Sequence, residues 1–366
     1  MKIIIINKDD SERRPPVISV IFILSNLGYK VTLITCNASL KFSKMMKDKG
    51  VEVIVLPFFN STSYIGKFVD YVRFRKHVFN YINNNYNNKK FLLWLIDAQT
   101  IVALGKKILD YKFILQIQEL HEDSKLYLSK ISNVISSAEL VFMPEYTRTF
   151  IYNFWFKLKQ KPIVLPNKPY FLPSEDYFNK MSKKYLIEYP ELINKKIIIY
   201  QGGISPVRML DNLAKAIFEM NDYVLLLLGT EQSPGYIDKL KRINPNVIHI
   251  KYISAPDYLA ITRISHIGYI CYSPSSLNNM FCAPNKVNEY SFCSLPMIAN
   301  DIPGLKTIFD IYSPGVILEN VDEYSLKKAI FKIEKSYEIF KKNSSKIFLN
   351  IDNETTISNN LKKIKF

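Results

Sequence analysis

Ile197-Ile198-Ile199-Tyr200-Gln201-Gly202-Gly203-Ile204-Ser205-Pro206-Val207-Arg208 is an apolar run that stops on two glycines, crosses a short loop and opens into a helix. Short β-branched runs, apolar on both faces, are the mark of buried parallel strands. Glycines at the carboxyl end of such a strand let the backbone close on a ligand, and a helix N-terminus behind them favours an anion. Arg208 stands near that end and can fork two bonds to a phosphate. A tight turn with a solvated Arg208 would give the same pattern. The fold is decided by the recurrence of the same unit along the chain.

After residues 197–201, apolar runs return at 223–228, 247–250, 267–271, 296–299 and 316–318. Before them lie 3–6, 31–35, 51–56, 91–96, 113–117, 140–143 and 163–165. Helix-length segments such as 17–27 and 98–109 alternate with them, and Gly28 stops the first before Tyr29-Lys30 launches the next strand. The fold class is therefore α/β, with two Rossmann-like, doubly wound layers. Between them, Leu165-Pro166-Asn167-Lys168-Pro169-Tyr170-Phe171-Leu172-Pro173 carries three prolines in nine residues and can be neither helix nor central strand. The expected organisation is an N-terminal domain over 1–166, a hinge over 167–175 and a C-terminal domain over 176–345. A Lys-rich helical tail over 346–366 can pack back on the N-terminal domain. An Asn-rich turn is expected at residues 83–88. Two such domains facing across a cleft would place ligands beyond the carboxyl ends of their strands.

The chain has 366 residues, 48 % hydrophobic and 22 % charged, the balance of a globular protein of about two domains. No apolar run approaches the roughly 18 residues of a spanning helix. The opening Met-Lys-Ile-Ile-Ile-Ile-Asn is too short for a signal peptide and reads as a strand. Cys36, Cys271, Cys282 and Cys293 form no C-x-x-C pair, so neither a zinc site nor a disulfide framework is expected, and a reducing cytoplasm fits. The net charge of +16 implies an anionic partner. AT-rich coding would also enrich Lys, Asn, Ile and Tyr. No nucleic-acid-binding signature is present, so no nucleic-acid partner is expected.

A second motif is Cys282-Ala283-Pro284-Asn285-Lys286-Val287-Asn288-Glu289-Tyr290. Pro284 suits a first helical turn, and Lys286 and Glu289, three apart, share one face. An amine there can hold a phosphate, and a carboxylate can accept two vicinal hydroxyls, as on a ribose. A surface ion pair is the plainer alternative, but the apolar strand that follows flanks this helix with core, where a carboxylate needs a partner.

Together the two motifs resemble the C-terminal half of GT-B-fold glycosyltransferases, most closely family 4, the nucleotide-sugar-dependent group that includes bacterial surface-polysaccharide enzymes. The matching positions run from Gly202 to Arg208, from Val224 to Gly229, and from Pro284 to Tyr290 with Pro296-Met297-Ile298-Ala299. The N-terminal half resembles the same family more loosely, in Asp9 to Arg14, Gly28-Tyr29-Lys30-Val31-Thr32-Leu33-Ile34, Leu95 to Thr100, Gln118-Glu119-Leu120-His121 and Pro166-Asn167. The resemblance implies that Gly202, Gly203, Arg208 and Lys286 meet the donor diphosphate and Glu289 the ribose, with Asn285, Phe281 and Pro284 near the donor sugar. Two positions depart from the family: its loop Arg is Gly203 here, and its Glu eight residues before the ribose Glu is Phe281.

The resemblance further implies a hexosyl-type transferase that uses a nucleotide-sugar, preferably a UDP-sugar, and acts with retention and without a metal or other cofactor. Asp97, Glu119 and His121 are its candidates for catalysis. Basic and aromatic residues interleave at Lys67, Arg73, Arg75 and Lys76, and again at Trp155 and Lys157. Such faces suit an anionic leaflet, at about 1 kcal/mol per basic residue near the surface. The expectation is a peripheral enzyme on the inner face of the plasma membrane, acting on a lipid-linked or oligosaccharide acceptor in surface-polysaccharide synthesis. A nucleotide-sugar 2-epimerase of similar fold and a non-catalytic GT-B scaffold are the alternatives.

Overall fold

The computed structural model describes residues 2–56, 63–86, 90–170 and 172–365. The strands are β1 (Lys2–Asp10), β2 (Lys30–Asn37), β3 (Glu52–Val55), β4 (Phe91–Ile96), β5 (Phe113–Gln116), β6 (Leu140–Met143), β7 (Ile163–Val164), β8 (Lys196–Gln201), β9 (Tyr223–Leu228), β10 (Ile248–Ile250), β11 (Ile267–Ile270), β12 (Met297–Asn300) and β13 (Gly315–Leu318). Each falls on an apolar run expected from the sequence. They form two parallel sheets, ordered β3-β2-β1-β4-β5-β6-β7 and β10-β9-β8-β11-β12-β13. In both, the order reverses beside the first strand of the unit, between β1 and β4 and between β8 and β11. Ligands of doubly wound sheets bind outside the carboxyl ends at such a reversal.

The chain divides into two compact units, Met1–Phe171 with Asp352–Phe366, and Leu172–Ile351. In the first, Ile3 to Ile6 of β1 are fully buried, Ile3 registering with Val31 on one side and Leu92 on the other. The helix Pro15–Asn26 starts on two prolines, whose fixed φ suits a first turn. The terminal helix Asn353–Leu361 buries Ile357 and Leu361 in this unit's core. Asn353 Nδ2 donates to the Pro166 carbonyl at 2.8 Å, and the Tyr170 hydroxyl donates to Glu354 at 2.5 Å, so the proline-rich stretch is held as far as Tyr170.

In the second unit alternate residues of each strand serve opposite faces. Ile198, Tyr200, Leu225 and Leu227 pack with the helices Leu210–Phe218 and Glu323–Lys335. Ile197, Ile199, Leu226 and Leu228 pack with Glu175–Glu188 and Asn285–Phe292. Each such side chain contributes about 1.5–3 kcal/mol by leaving water.

Two local expectations change. The helix Tyr64–Tyr86 runs through Asn83, Asn84 and Asn85, because buried Ile82 and Tyr86 anchor its last turn. Asn87 and Asn88 lie outside the described residues. Behind the Gly202-Gly203 loop the chain first makes a 3-10 turn, Pro206–Arg208, and the α-helix starts only at Leu210.

Candidate functional site

The glycine loop closes the end of β8 against the turn after β9. Gly202 has φ +120°, and a Cβ on Gly229 would overlap the Gly202 carbonyl oxygen, so both backbones need bare Cα atoms here. A Cβ on Gly203 would meet the amide end of the Gln232 side chain, which would have to swing aside to admit the family's loop arginine.

Arg208 places its guanidinium 4.3 Å from the Tyr272 ring centroid, just past the end of β11. Its Nε and Nη1 are buried and find no hydrogen-bond partner among the described residues. Lys286 is buried too, its Nζ 5.0 Å from the Tyr200 centroid and 5.4 Å from that of Tyr272. The two cations thus share one aromatic ring at the β8/β11 reversal. Burial first, and then the charge of Arg208, press the Lys286 ammonium down to about 7.

Glu289 lies one turn further along the helix Asn285–Phe292 and is buried. Its oxygens accept from Gln201 Nε2 and, at 2.5 Å, from the Tyr258 hydroxyl; Gln201 in turn accepts from Thr262 Oγ1 at 2.8 Å. The surface ion pair with Lys286 is therefore not what forms. Burial raises the Glu289 pKa against the lowering pull of these two donors and of Lys286. Pro284 caps that helix, Asn285 begins it, and Phe281 ends the short helix Leu277–Met280, all three half-buried.

A second cluster gathers at the β1/β4 reversal of the first unit. Asp97 is buried where β4 turns into the helix Asp97–Leu104 and takes φ +61°, while His121 takes φ +59° past β5. His121 Nε2 lies 2.9 Å from Asp97 Oδ1, the Ala98 amide donates to the same oxygen at 2.9 Å, and Arg14 Nη1 stands 3.4 Å from Oδ2. Burial works to raise the Asp97 pKa, but His121, Arg14 and the amide outweigh it and the net shift is downward. Two left-handed non-glycine residues in contact store strain that a site can use. Glu119 makes no direct bond to this pair but its charge acts on Arg14 beside it. Its side chain is 50 % exposed and faces the buried Arg148 at 3.4 Å.

Chains of solved structure match this one over nearly their whole length. Anabaena HepE in complex with UDP and glucose aligns with a TM-score of 0.74 at 12 % identity, over 100 % of both chains. A glycosyltransferase from Rickettsia africae gives 0.71 at 15 %, over 99 % of this chain and 97 % of that one. UDP-GlcNAc 2-epimerase from Neisseria meningitidis, bound to UDP-GlcNAc, gives 0.64 at 11 %, over 100 % of both. The chain has the GT-B fold. No family model and no curated protein matches the sequence.

In this GT-B chain the basic aromatic stretches are placed unequally. On the helix Tyr64–Tyr86, Lys67, Arg73 and Lys76 are exposed beside Ile65, Phe68 and Val72. Arg75 belongs elsewhere: its Nε donates to the Ala103 carbonyl at 2.9 Å, so its guanidinium serves the end of a neighbouring helix and not an outer face. On the helix Tyr146–Phe156, Trp155 is half-buried against Tyr152, and the exposed rings are Tyr146, Phe150 and Phe154, with Lys161 stacked on the first two. Lys157 is exposed, in a left-handed conformation at the helix end. No helix among the described residues is long and apolar enough to cross a membrane.

Sequence reasoning missed Tyr272, Tyr258, Thr262 and Gln232. Tyr258 and Thr262 sit four apart at the short helix Leu259–Arg263, Tyr272 follows β11 and Gln232 follows β9, and no motif in the sequence ties them to the two glycines or to Glu289. Tyr200 and Gln201 were in view at the end of β8, and their roles as ring and as partner of Glu289 appear only in three dimensions.

Proposed function

We propose that this protein is a hexosyl-type glycosyltransferase that takes a sugar from a nucleotide-sugar, preferably a UDP-sugar, and adds it to a lipid-linked or polysaccharide acceptor in surface-polysaccharide synthesis. The observation that carries this is the pair at the β8/β11 reversal: buried Lys286 and half-buried Arg208, whose Nε and Nη1 are buried, share one ring with no carboxylate paired to either among the described residues. Buried charges without partners are costly, and a diphosphate supplies what they lack. As the bond from sugar to phosphate breaks, negative charge grows on the leaving diphosphate. Fixed donors that meet it lower the barrier without needing a metal. Glu289, oriented by Gln201 and Tyr258, is set to accept the ribose hydroxyls. Asn285, Phe281 and Pro284 border the same helix start and are the candidates to face the donor sugar.

In the first unit Asp97 and His121 are the catalytic candidates, acting as a hydrogen-bonded pair with retention of configuration. Glu119 and its partner Arg148 border them. The exposed face carrying Lys67, Phe68, Arg73 and Lys76 supports peripheral attachment to an anionic inner-membrane surface, where a lipid-linked acceptor would be presented.

A thermal-shift screen of UDP, GDP, dTDP and their sugars tests the donor reading. A shift selective for uridine nucleotides is expected, and no shift with any of them would sink it and favour a non-catalytic scaffold. The Asp97–His121 pair also suits a 2-epimerase, the activity named for the Neisseria relative. Incubation with UDP-GlcNAc and no acceptor separates the two, because only the epimerase would invert C2 of the sugar, giving either the epimeric UDP-sugar or, with water, the free epimer and UDP.

A further inference from the structure

The two cations of the donor site differ in kind. One is a planar guanidinium, whereas the charge of the other, the ammonium of Lys286, is conditional on its surroundings. The Lys286 Nζ is buried beside the bare Cα of Gly202, between the rings of Tyr200 and Tyr272. Glu289 on the same helix spends its oxygens on Gln201 and Tyr258, and its charge pulls the ammonium upward without offsetting burial and Arg208. Arg208, from the 3-10 turn, brings a like charge to the same ring. The Cys282 thiol is the remaining ionisable neighbour, and His249 stands one turn away with its ring against the Gly229 carbonyl at 2.8 Å. Without ligand, then, a buried ammonium faces a second cation and no paired carboxylate, and its pKa falls to about 7. A diphosphate would bring two negative charges to that point and restore the ammonium.

We infer that a nucleoside-diphosphate donor binds here with uptake of one proton by Lys286, so that donor affinity falls as the pH rises through neutrality. This rests on the donor-site reading above. Below about pH 6 the amine is already charged and little is taken up. Above 7 the neutral amine must be protonated first, and the logarithm of the binding constant approaches a slope of minus one per pH unit. Between pH 6 and pH 8.5 the affinity is expected to fall about 30-fold.

Calorimetry on the full chain tests this with UDP-glucose, UDP-GlcNAc or GDP-mannose, whichever binds. Their phosphates are diesters and do not titrate in this range. Titrations are run in buffers of different ionisation heat, such as HEPES and Tris. At pH 8 the observed heat should rise with buffer ionisation heat at a slope of about 0.9 proton, against about 0.1 at pH 6. Lys286→Met should bind more weakly with a slope near zero, and Lys286→Arg should hold one affinity across the range. Measurable binding with zero slope in the wild type at pH 8 overturns the inference and leaves the donor site standing. A slope that persists in Lys286→Met and vanishes in His249→Asn also overturns it. Failure of all three sugars to bind at pH 6 overturns the donor-site reading, and this inference with it.

Discussion

Arg208→Met is the sharpest test of the donor site, because its effects on binding and on stability should separate. The guanidinium has two buried nitrogens, Nε and Nη1, without hydrogen-bond partners among the described residues. If a diphosphate fills that position, each makes a charge-assisted bond worth about 1.5–3 kcal/mol. Losing both costs at least about 3 kcal/mol, roughly a hundredfold in Kd. The free protein should lose less, about 2 kcal/mol at most. Arg208 has no carboxylate partner to abandon, and the stacking on Tyr272 is worth only about 0.5–2 kcal/mol. Methionine keeps contact with the ring, and removing the charge relieves Lys286. Calorimetry with UDP-glucose and a urea unfolding curve read the two sides. A variant that binds within threefold of wild type would refute the diphosphate role. One that loses several kcal/mol of folding stability would show that Arg208 is a structural residue.

Three further outcomes follow from the structure. Asp70→Ala removes the carboxylate 2.7 Å from the buried Lys8 and should cost about 3–5 kcal/mol in urea unfolding, whereas Lys8→Met with Asp70→Leu should recover most of it; equal losses in both proteins would contradict the pairing. Glu334 accepts from Lys196, Tyr223 and His266, and although burial opposes them its pKa falls to about 2. A lowered carboxylate stabilises the fold fully above its unfolded value and progressively less as the pH falls towards 2. Glu334→Gln should therefore flatten acid unfolding below about pH 4.5, and an unchanged profile would remove Glu334 as its source. Charge reversal at Lys67, Arg73 and Lys76 together should abolish low-salt sedimentation with anionic liposomes, and co-sedimentation equal to wild type would exclude this face.

The strands were legible because a buried parallel strand needs a short run that is apolar on both faces, and that requirement is written locally. Every such run, from residues 3–6 to 316–318, became a strand. Most steps of the order β10-β9-β8-β11-β12-β13 join neighbouring strands, but the connection from β10 returns past β9 and β8 to β11, and that reversal is not written in the local pattern. Lys286 and Glu289 were legible for a similar reason, since three residues along a helix fix one face. Arg75 and Trp155 were misread as surface, because helical spacing gives a direction around the axis and not what lies opposite. Neighbouring packing turned both inward. The Asn run at 83–85 was misread as a turn, its weak local preference outweighed by burial of Ile82 and Tyr86.

By itself, then, the sequence determined the two doubly wound sheets and the short list of residues that carry charge at their strand ends. Only the tertiary structure decided the state of those charges. It set Arg208 and Lys286 against one tyrosine with no paired carboxylate, gave Glu289 to Gln201 and Tyr258, and joined Asp97 to His121. The physical reason is that a strand or helix is chosen by interactions within a few residues. The charge a side chain holds depends instead on desolvation and on partners brought from distant parts of the chain.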